Sequence, residues 1–438
     1  MKRRGFLTGV LGGSSVMPAL AAEQYEKRLN GLPPLTIKDA KVITTSGGRR
    51  YKWVFLKIIT SEPGLYGIGS ANYDYQIHAV ISALEKHLVP WLIGKDPDRI
   101  EDLWLSGNLR TYRRNGPITL CVLSAMDMAL WDIKGKRAGM PVYQLLGGKA
   151  RDGVACYDHV EGKTREQAVE NVQKSMENGF RHIRVQFGGY GGGGFLQANE
   201  GNRIEGGYTG RAFDEDMYIN TIPPLFDYIR TKLGFGPKLI HDVHSHLSGT
   251  NAVMFAKLME PYRLFFLEDL LPPEQIDWYR QVRQACSTPQ AEGEVFSNPY
   301  EYLPLIYERL IDFVRTRVSA IGGITAAKKI ANMCEFFGVK TAWQEGGEHD
   351  PVGQLASYHV DISSQAFGIQ EENHFPPATY EILPGTAEIR KGYLYGNDAP
   401  GLGIDINEEL AAKSPFPESK GSGSYRIDRF IDGAAVKP

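Results

Sequence analysis

Asp242, Glu268 and Glu294 stand 26 residues apart in both intervals, and each sits at the end of a short apolar run: Leu239–Val243, Leu264–Leu267 and Gln290–Gly293. If those runs are successive parallel strands, three carboxylates meet at one rim, about one strand spacing apart. Like charges at that range repel and raise one another's pKa. A divalent cation removes the conflict, and an all-oxygen ligand set suits Mg²⁺ with positions left open for water and substrate. The competing reading is that each acidic residue caps a following helix, where Asp and Glu are common. Three in register, each directly after an apolar run, favour the metal.

Other polar residues fall near the same ends. His244 lies two residues beyond Asp242, so both face one side if strand geometry persists, and a histidine beside a metal site suits a general acid. His241 and His246 are read as structural. Asp269 and Glu292 neighbour the ligand candidates, and by side-chain alternation they point elsewhere or support the ligands from behind. Arg184 ends the run Ile183–Val185 and Arg315 ends Phe313–Arg317; such arginines pair with a substrate carboxylate, tune a neighbouring base or balance the carboxylates.

These residues need a scaffold that lines up strand ends. Apolar runs at Val154–Tyr157, Ile183–Val185, Leu239–Val243, Leu264–Leu267, Gln290–Gly293, Phe313–Arg317 and Val339–Trp343 each precede a helix-forming stretch and recur at the length of a βα unit. That rhythm implies a closed parallel α/β barrel over residues 151–371, with its chemistry where the strands end. Residues 35–150 read instead as an α+β cap: strands at Lys41–Thr45 and Trp53–Thr60, a helix at Ile77–Leu88 stopped by Pro90, and a buried helix at Ile118–Arg137. Residues 372–438 lose the rhythm, become rich in Gly and Pro, and are expected to return to the cap. The glycine-rich insertion from Gly188 to Phe213 lacks the lysine and hydroxyl residue of a nucleotide loop, so it reads as a flap over the mouth with Tyr190 and Tyr208 as contacts.

Composition closes other routes. With 49 basic and 51 acidic residues among 438, and a formal net charge of -2, no global field favours nucleic acid or an anionic membrane. The four cysteines, Cys121, Cys156, Cys286 and Cys334, have neither zinc-ligand nor disulfide-framework spacing and are read as packing residues. Lys2-Arg3-Arg4 precedes a small-residue apolar stretch ending in Ala19-Leu20-Ala21, the pattern of a twin-arginine export signal over residues 1–21. The expectation is a soluble periplasmic protein that begins near Ala22, with no membrane contact after signal removal.

The chain also resembles the enolase superfamily, and within it the mannonate dehydratase-like branch of sugar-acid dehydratases, from about Leu35 to Pro415. The resemblance rests on Gly116-Pro117, Ala125-Met-Asp-Met-Ala-Leu-Trp-Asp-Ile-Lys134, Tyr143-Gln-Leu-Leu-Gly-Gly148, His241-Asp-Val-His244, Phe266-Leu-Glu-Asp269, Gly293-Glu-Val-Phe296, Gly322-Gly-Ile-Thr325, Phe367-Gly-Ile-Gln-Glu371 and Asp398-Ala-Pro-Gly-Leu-Gly403. It implies a modified TIM barrel of (β/α)7β type, with a cap formed by both chain ends. It also implies Mg²⁺ on Asp242, Glu268 and Glu294, His244 as the acid, and Arg184 partnered with a tyrosine base. His159, Arg315 and Glu371 match substrate positions.

Three departures shape the expected specificity. Trp343-Gln344-Glu345 replaces the family's Phe-His-Gly, the early asparagine aligns near Asp74, and the base tyrosine is displaced, with Phe195 near its usual spacing. Tyr190 is the first substitute, Tyr208 the second, and Arg113 with Glu345 and Glu348 alters the charge around the substrate. Asp74 and Gln344 are therefore assigned to substrate binding. The expectation is a homo-oligomeric, Mg²⁺-dependent dehydratase that acts on a small-molecule sugar acid other than mannonate and gives a 2-keto-3-deoxy acid. Epimerisation or cycloisomerisation through the same enediolate is the second enzyme class, and a non-catalytic sugar-acid binder the third.

Overall fold

A computed structural model of the chain describes residues 33–48, 51–197, 200–201, 204–346, 349–416 and 425–436. The export segment expected at residues 1–21 lies outside them, as does Glu348. Among the described residues no helix is long and apolar enough to cross a membrane.

The recurring apolar runs become a closed ring of parallel strands: Val154–Gly162, His182–Phe187, Lys238–Asp242, Phe266–Glu268, Gln290–Glu292, Phe313–Val314, Lys340–Thr341 and Gln370–Glu371. Successive strands pair in parallel from the first to the seventh. A bridge from Thr341 to Phe367 brings in the last strand, which pairs with Cys156 and Tyr157 of the first and closes the ring. A helix follows each of the first seven strands, from Arg165–Glu177 to Pro351–Ile362. This is the (β/α)7β barrel.

Inside the ring, Tyr157, Ile240, Phe266, Ala291, Phe313, Ala342 and Ile369 form one apolar layer. Their outward neighbours, such as Leu239, Leu267 and Val314, pack against the helices in the main core. The layer is a floor. Two residues further along each strand, on the same face, stand the residues of the mouth.

The cap is an antiparallel sheet of Ile37–Thr45, Trp53–Thr60 and Tyr66–Ser70, with helix Pro117–Ala138 pressed against it. The approach requires glycine at position 69, where a Cβ would lie 2.0 Å from the Ala125 carbonyl oxygen. Pro90 does not stop the preceding helical stretch. Ile77–Ala83 passes through a π-turn at Leu84–Leu88 into Val89–Leu92, and Pro90 falls in the first turn of that last piece, where a missing N–H is tolerated.

After the barrel, the chain does reach the cap: Thr379 Oγ1 donates to the Gly47 carbonyl at 2.6 Å, and Lys57 pairs with Glu408 at 2.5 Å. Two stretches depart from the expected return. A hairpin of Glu388–Arg390 and Tyr393–Tyr395 adds antiparallel to the start of the first barrel strand. The last stretch, 425–436, runs along the flap, where the Phe213 amide donates to the Arg429 carbonyl at 2.7 Å. All four cysteines are buried and free, so packing is their role.

Candidate active site

The two-residue period of the strands sets the site. Beyond the floor residues Tyr157, Ile240, Phe266, Phe313, Ala342 and Ile369 come His159, Asp242, Glu268, Arg315, Gln344 and Glu371, one from each strand end. Arg184 occupies the same level on the second strand, and the register sets Asp242 directly beside Glu268. On the fifth strand this level falls on Gly293, which brings no side chain. Its backbone at φ 142° lies so close to the next strand that a Cβ would be 2.9 Å from the Thr316 amide nitrogen.

Two buried arginines hold the carboxylates together. Arg184 Nη1 lies 2.5 Å from Glu268, 3.2 Å from Glu371 and 3.4 Å from Asp242. Arg315 reaches Glu268 and Glu294 at 2.7 Å and Asp269 and Glu371 at 2.8 Å. His159 Nε2 is 2.9 Å from Glu371. Buried charges persist only when paired and hydrogen-bonded in this way. Burial works against ionisation of Glu371, but Arg315, His159 and Arg184 hold its carboxyl well below the usual range.

Of the two readings open for Asp269, pointing elsewhere is the one the geometry corrects: its backbone turns left-handed at φ 41°, which breaks the alternation and sends it to the same side as Glu268. Asp242, Glu268 and Asp269 each offer an oxygen within 4.8 Å of the others. Asp269 Oδ1 also accepts from the amides of Gly293 at 3.0 Å and Glu294 at 3.4 Å, filling the space beside the glycine. Glu294, a quarter exposed, joins the group through Arg315. Glu292 supports the ligands from behind: its carboxyl is bonded by Tyr279 and also meets the Asp269 side chain.

This donor set fits a hard divalent cation. Asp242, Glu268, Asp269, Glu294 and Glu371 all meet the same two guanidiniums, so negative charge is in excess. Burial, with Glu268 adjacent, pushes the Asp242 carboxyl well above its ordinary pKa, and burial does the same to Asp269 against the pull of Arg315. Carboxyls held up in this way are ionised by a bound dication.

Above the cluster are three aromatic rings. Arg184 Nη2 donates to the Tyr190 hydroxyl at 3.0 Å, and the Tyr190 ring stacks on His244 with centroids 4.2 Å apart. Tyr208 is elsewhere, its hydroxyl donating to the Arg211 carbonyl at 3.1 Å. The strand ends at Asp242, and His244 adopts φ 52°, its amide donating to Asp242 Oδ1 at 2.7 Å. Tyr425 lies nearly parallel to His244, 5.9 Å away between centroids, with its hydroxyl 3.1 Å from His244 Nδ1. Nothing in the sequence pattern marks Tyr425. It lies beyond the Gly/Ser-rich stretch 421–424 and carries no strand or helix signal.

The remaining predicted residues separate. His241, fully buried between Tyr218 and the Val185 carbonyl, and His246, held by the His244 carbonyl, are structural as expected. Asp74 opens a short 3₁₀ helix of the cap, Asp74–Gln76, beside Tyr75, whose ring meets Tyr425 at 5.6 Å. Gln344 is at the mouth level, but its Oε1 accepts from Arg317 Nε at 2.6 Å. Glu345 does not add charge near a substrate: it is fully buried and bonded to His349 and Ser357. Arg113 is exposed on a cap loop, and Phe195 is a packing residue of the flap against Phe213.

Residues 34–147 match the mandelate racemase / muconate lactonizing enzyme N-terminal domain, and residues 167–410 match the enolase C-terminal domain-like family. The chain is 49% identical over 390 residues to a D-galactonate dehydratase family member of Paenibacillus sp. strain JDR-2, covering 88% of this chain and 96% of that one. It is 48% identical over 419 residues to the family member RspA of Pantoea ananatis, covering 92% and 99%. A crystal structure of an enolase from Pantoea ananatis with bound D-gluconate and Mg superposes with a TM-score of 0.88 at 47% identity, covering 92% of this chain and all of that one.

Proposed function

This chain belongs to the enolase superfamily, in a sugar-acid dehydratase branch, and from that premise we propose that it is a Mg²⁺-dependent lyase that removes water from a six-carbon aldonic acid such as gluconate. The α-proton beside the carboxylate is removed, the β-hydroxyl leaves as water, and the resulting enol tautomerises to a 2-keto-3-deoxy acid.

One observation carries this reading. Arg184 touches Glu268 with one nitrogen and the Tyr190 hydroxyl with the other, so the carboxylate cluster and a base candidate share one residue. Tyr190 takes the α-proton. The guanidinium stabilises the phenolate, opposing the burial that raises the Tyr190 pKa. His244, stacked on Tyr190, donates to the departing hydroxyl. Arg315 and His159, both bonded to Glu371, orient the substrate.

Asp242, Glu268 and Glu294, with Asp269 beside them, would hold Mg²⁺. When bound, Mg²⁺ supplies positive charge that offsets the negative charge building on the substrate carboxylate. The choice of acid is supported by the D-gluconate in the similar Pantoea ananatis structure. Gln344 supports exclusion of mannonate: its amide is bonded to Arg317 and cannot transfer a proton, so the seventh strand supplies no acid or base there.

The test is to incubate the Mg²⁺-loaded protein with D-gluconate, D-galactonate and D-mannonate and measure 2-keto acid with semicarbazide. Product from gluconate and little or none from mannonate is expected. No keto acid from any of the three would reject the reading.

A further inference from the structure

His244 is held by two tyrosines. Tyr190 of the flap stacks on its ring at 4.2 Å, and the ring of Tyr425 lies nearly parallel beside it, centroids 5.9 Å apart with 18° between planes. The two tyrosines differ in what their hydroxyls do. Tyr190 is bonded to Arg184, whereas the Tyr425 hydroxyl lies 3.1 Å from His244 Nδ1. Tyr425 is itself fixed: Tyr75 of the cap meets its ring edge-on at 5.6 Å. Three residues later, Asp428 ties the same segment to the mouth, 2.9 Å from Arg426, 3.4 Å from Arg211 and 3.5 Å from His246. The segment lies beyond residue 410, where the family match ends.

We propose that Tyr425 is a positioning residue: its hydroxyl donates to His244 Nδ1 and so fixes the tautomer in which Nε2 carries the proton. A neutral imidazole has one donor and one acceptor nitrogen, and the bond made by one decides the role of the other. A phenol that donates to Nδ1 leaves Nε2–H as the donor available to a leaving hydroxyl; as that proton leaves, the Tyr425 proton passes to Nδ1, so the ring stays neutral, and Tyr425 regains a proton from solvent. The stack against Tyr190 fixes the ring plane, and the Tyr425 hydroxyl then fixes which nitrogen is which. The catalytic consequence rests on the dehydratase reading above, but the tautomer does not.

The test uses full-length Mg²⁺-loaded protein labelled with ¹⁵N-histidine. The His244 ring signals are identified by their loss in His244→Asn. In wild type a single Nε2-protonated tautomer is expected. In Tyr425→Phe, which keeps the ring and loses the hydroxyl, the two tautomers mix, kcat falls about ten-fold, as expected for one lost hydrogen bond, and KM stays within about two-fold. A purely structural role would lower the melting temperature without changing the tautomer. An unchanged single tautomer in Tyr425→Phe, or a kcat within two-fold of an active wild type, overturns the proposal. Wild-type protein that turns over no sugar acid overturns the functional reading instead, and the ¹⁵N spectrum still decides this one.

Discussion

Tyr190 and His244 lie face to face, ring centroids 4.2 Å apart and planes 27° apart, although one comes from the flap and the other from the end of the third barrel strand. A proton acceptor and a proton donor on adjacent rings could serve neighbouring carbons of one substrate, as removal of an α-proton and a β-hydroxyl requires. The flap is thus part of the site itself.

Replacing Tyr190 with Phe should lower kcat by about 100-fold or more, the usual loss for a general base, while Mg²⁺ affinity stays unchanged. Tyr208→Phe should be near neutral, because that hydroxyl bonds the Arg211 carbonyl. Steady-state kinetics on the two variants compares them. Equal losses would remove Tyr190 from its role.

Asp269→Asn should weaken Mg²⁺ binding by about ten-fold or more, and Glu268→Gln at least as much, whereas Glu292→Gln should weaken it less than either. The contrast follows from Asp269 and Glu268 meeting Arg315 directly, while Glu292 meets Tyr279 and reaches the cluster through Asp269. Isothermal titration of Mg²⁺ into the three variants checks it. Loss of affinity in Glu292→Gln alone would reverse the assignment.

Much of this site was legible in the sequence because period-two alternation fixes where strand residues point. Asp242, Glu268, Arg184 and Arg315 follow from it, whereas His159 and Glu371 were indicated only by the family resemblance. Whether Asp269 joins the cluster was left open because a left-handed residue resets the alternation at the strand end, and no local pattern announces that φ. Tyr425 was missed for another reason: its partner His244 is 181 positions away and the contact depends on the path of the chain end. Gln344 was placed at the right level, but its hydrogen bond to Arg317 is a tertiary detail.

His359 offers a pH test away from the cluster. It is fully buried, its Nδ1 accepts from the Tyr143 amide at 3.2 Å, and burial lowers its pKa to about 4 from 6.5. The unfolded chain therefore binds a proton that the folded one refuses as pH falls below 6.5. The stability tied to neutral His359 is complete above that pH and is lost as pH falls toward 4. The melting-temperature gap between wild type and His359→Gln should be wide at pH 7.5 and narrower at pH 5. A gap that does not change would contradict the neutral buried state.

We propose that Arg3 and Arg4 direct export by the twin-arginine route. Changing both to Lys should leave the protein in the cytoplasm of an expressing bacterium. Fractionation that still recovers it from the periplasm would refute the route.

The most direct test of dehydration is to follow D-gluconate with the Mg²⁺-loaded protein in D₂O by ¹H NMR. Abstraction of the α-proton, loss of the β-hydroxyl and ketonisation of the enol predict that the C2 proton signal disappears while a 2-keto-3-deoxy product grows in, carrying one solvent deuteron at C3. Exchange of the C2 proton for deuterium in recovered sugar acid, with no keto product formed, would contradict the account and identify an epimerase-type enzyme instead.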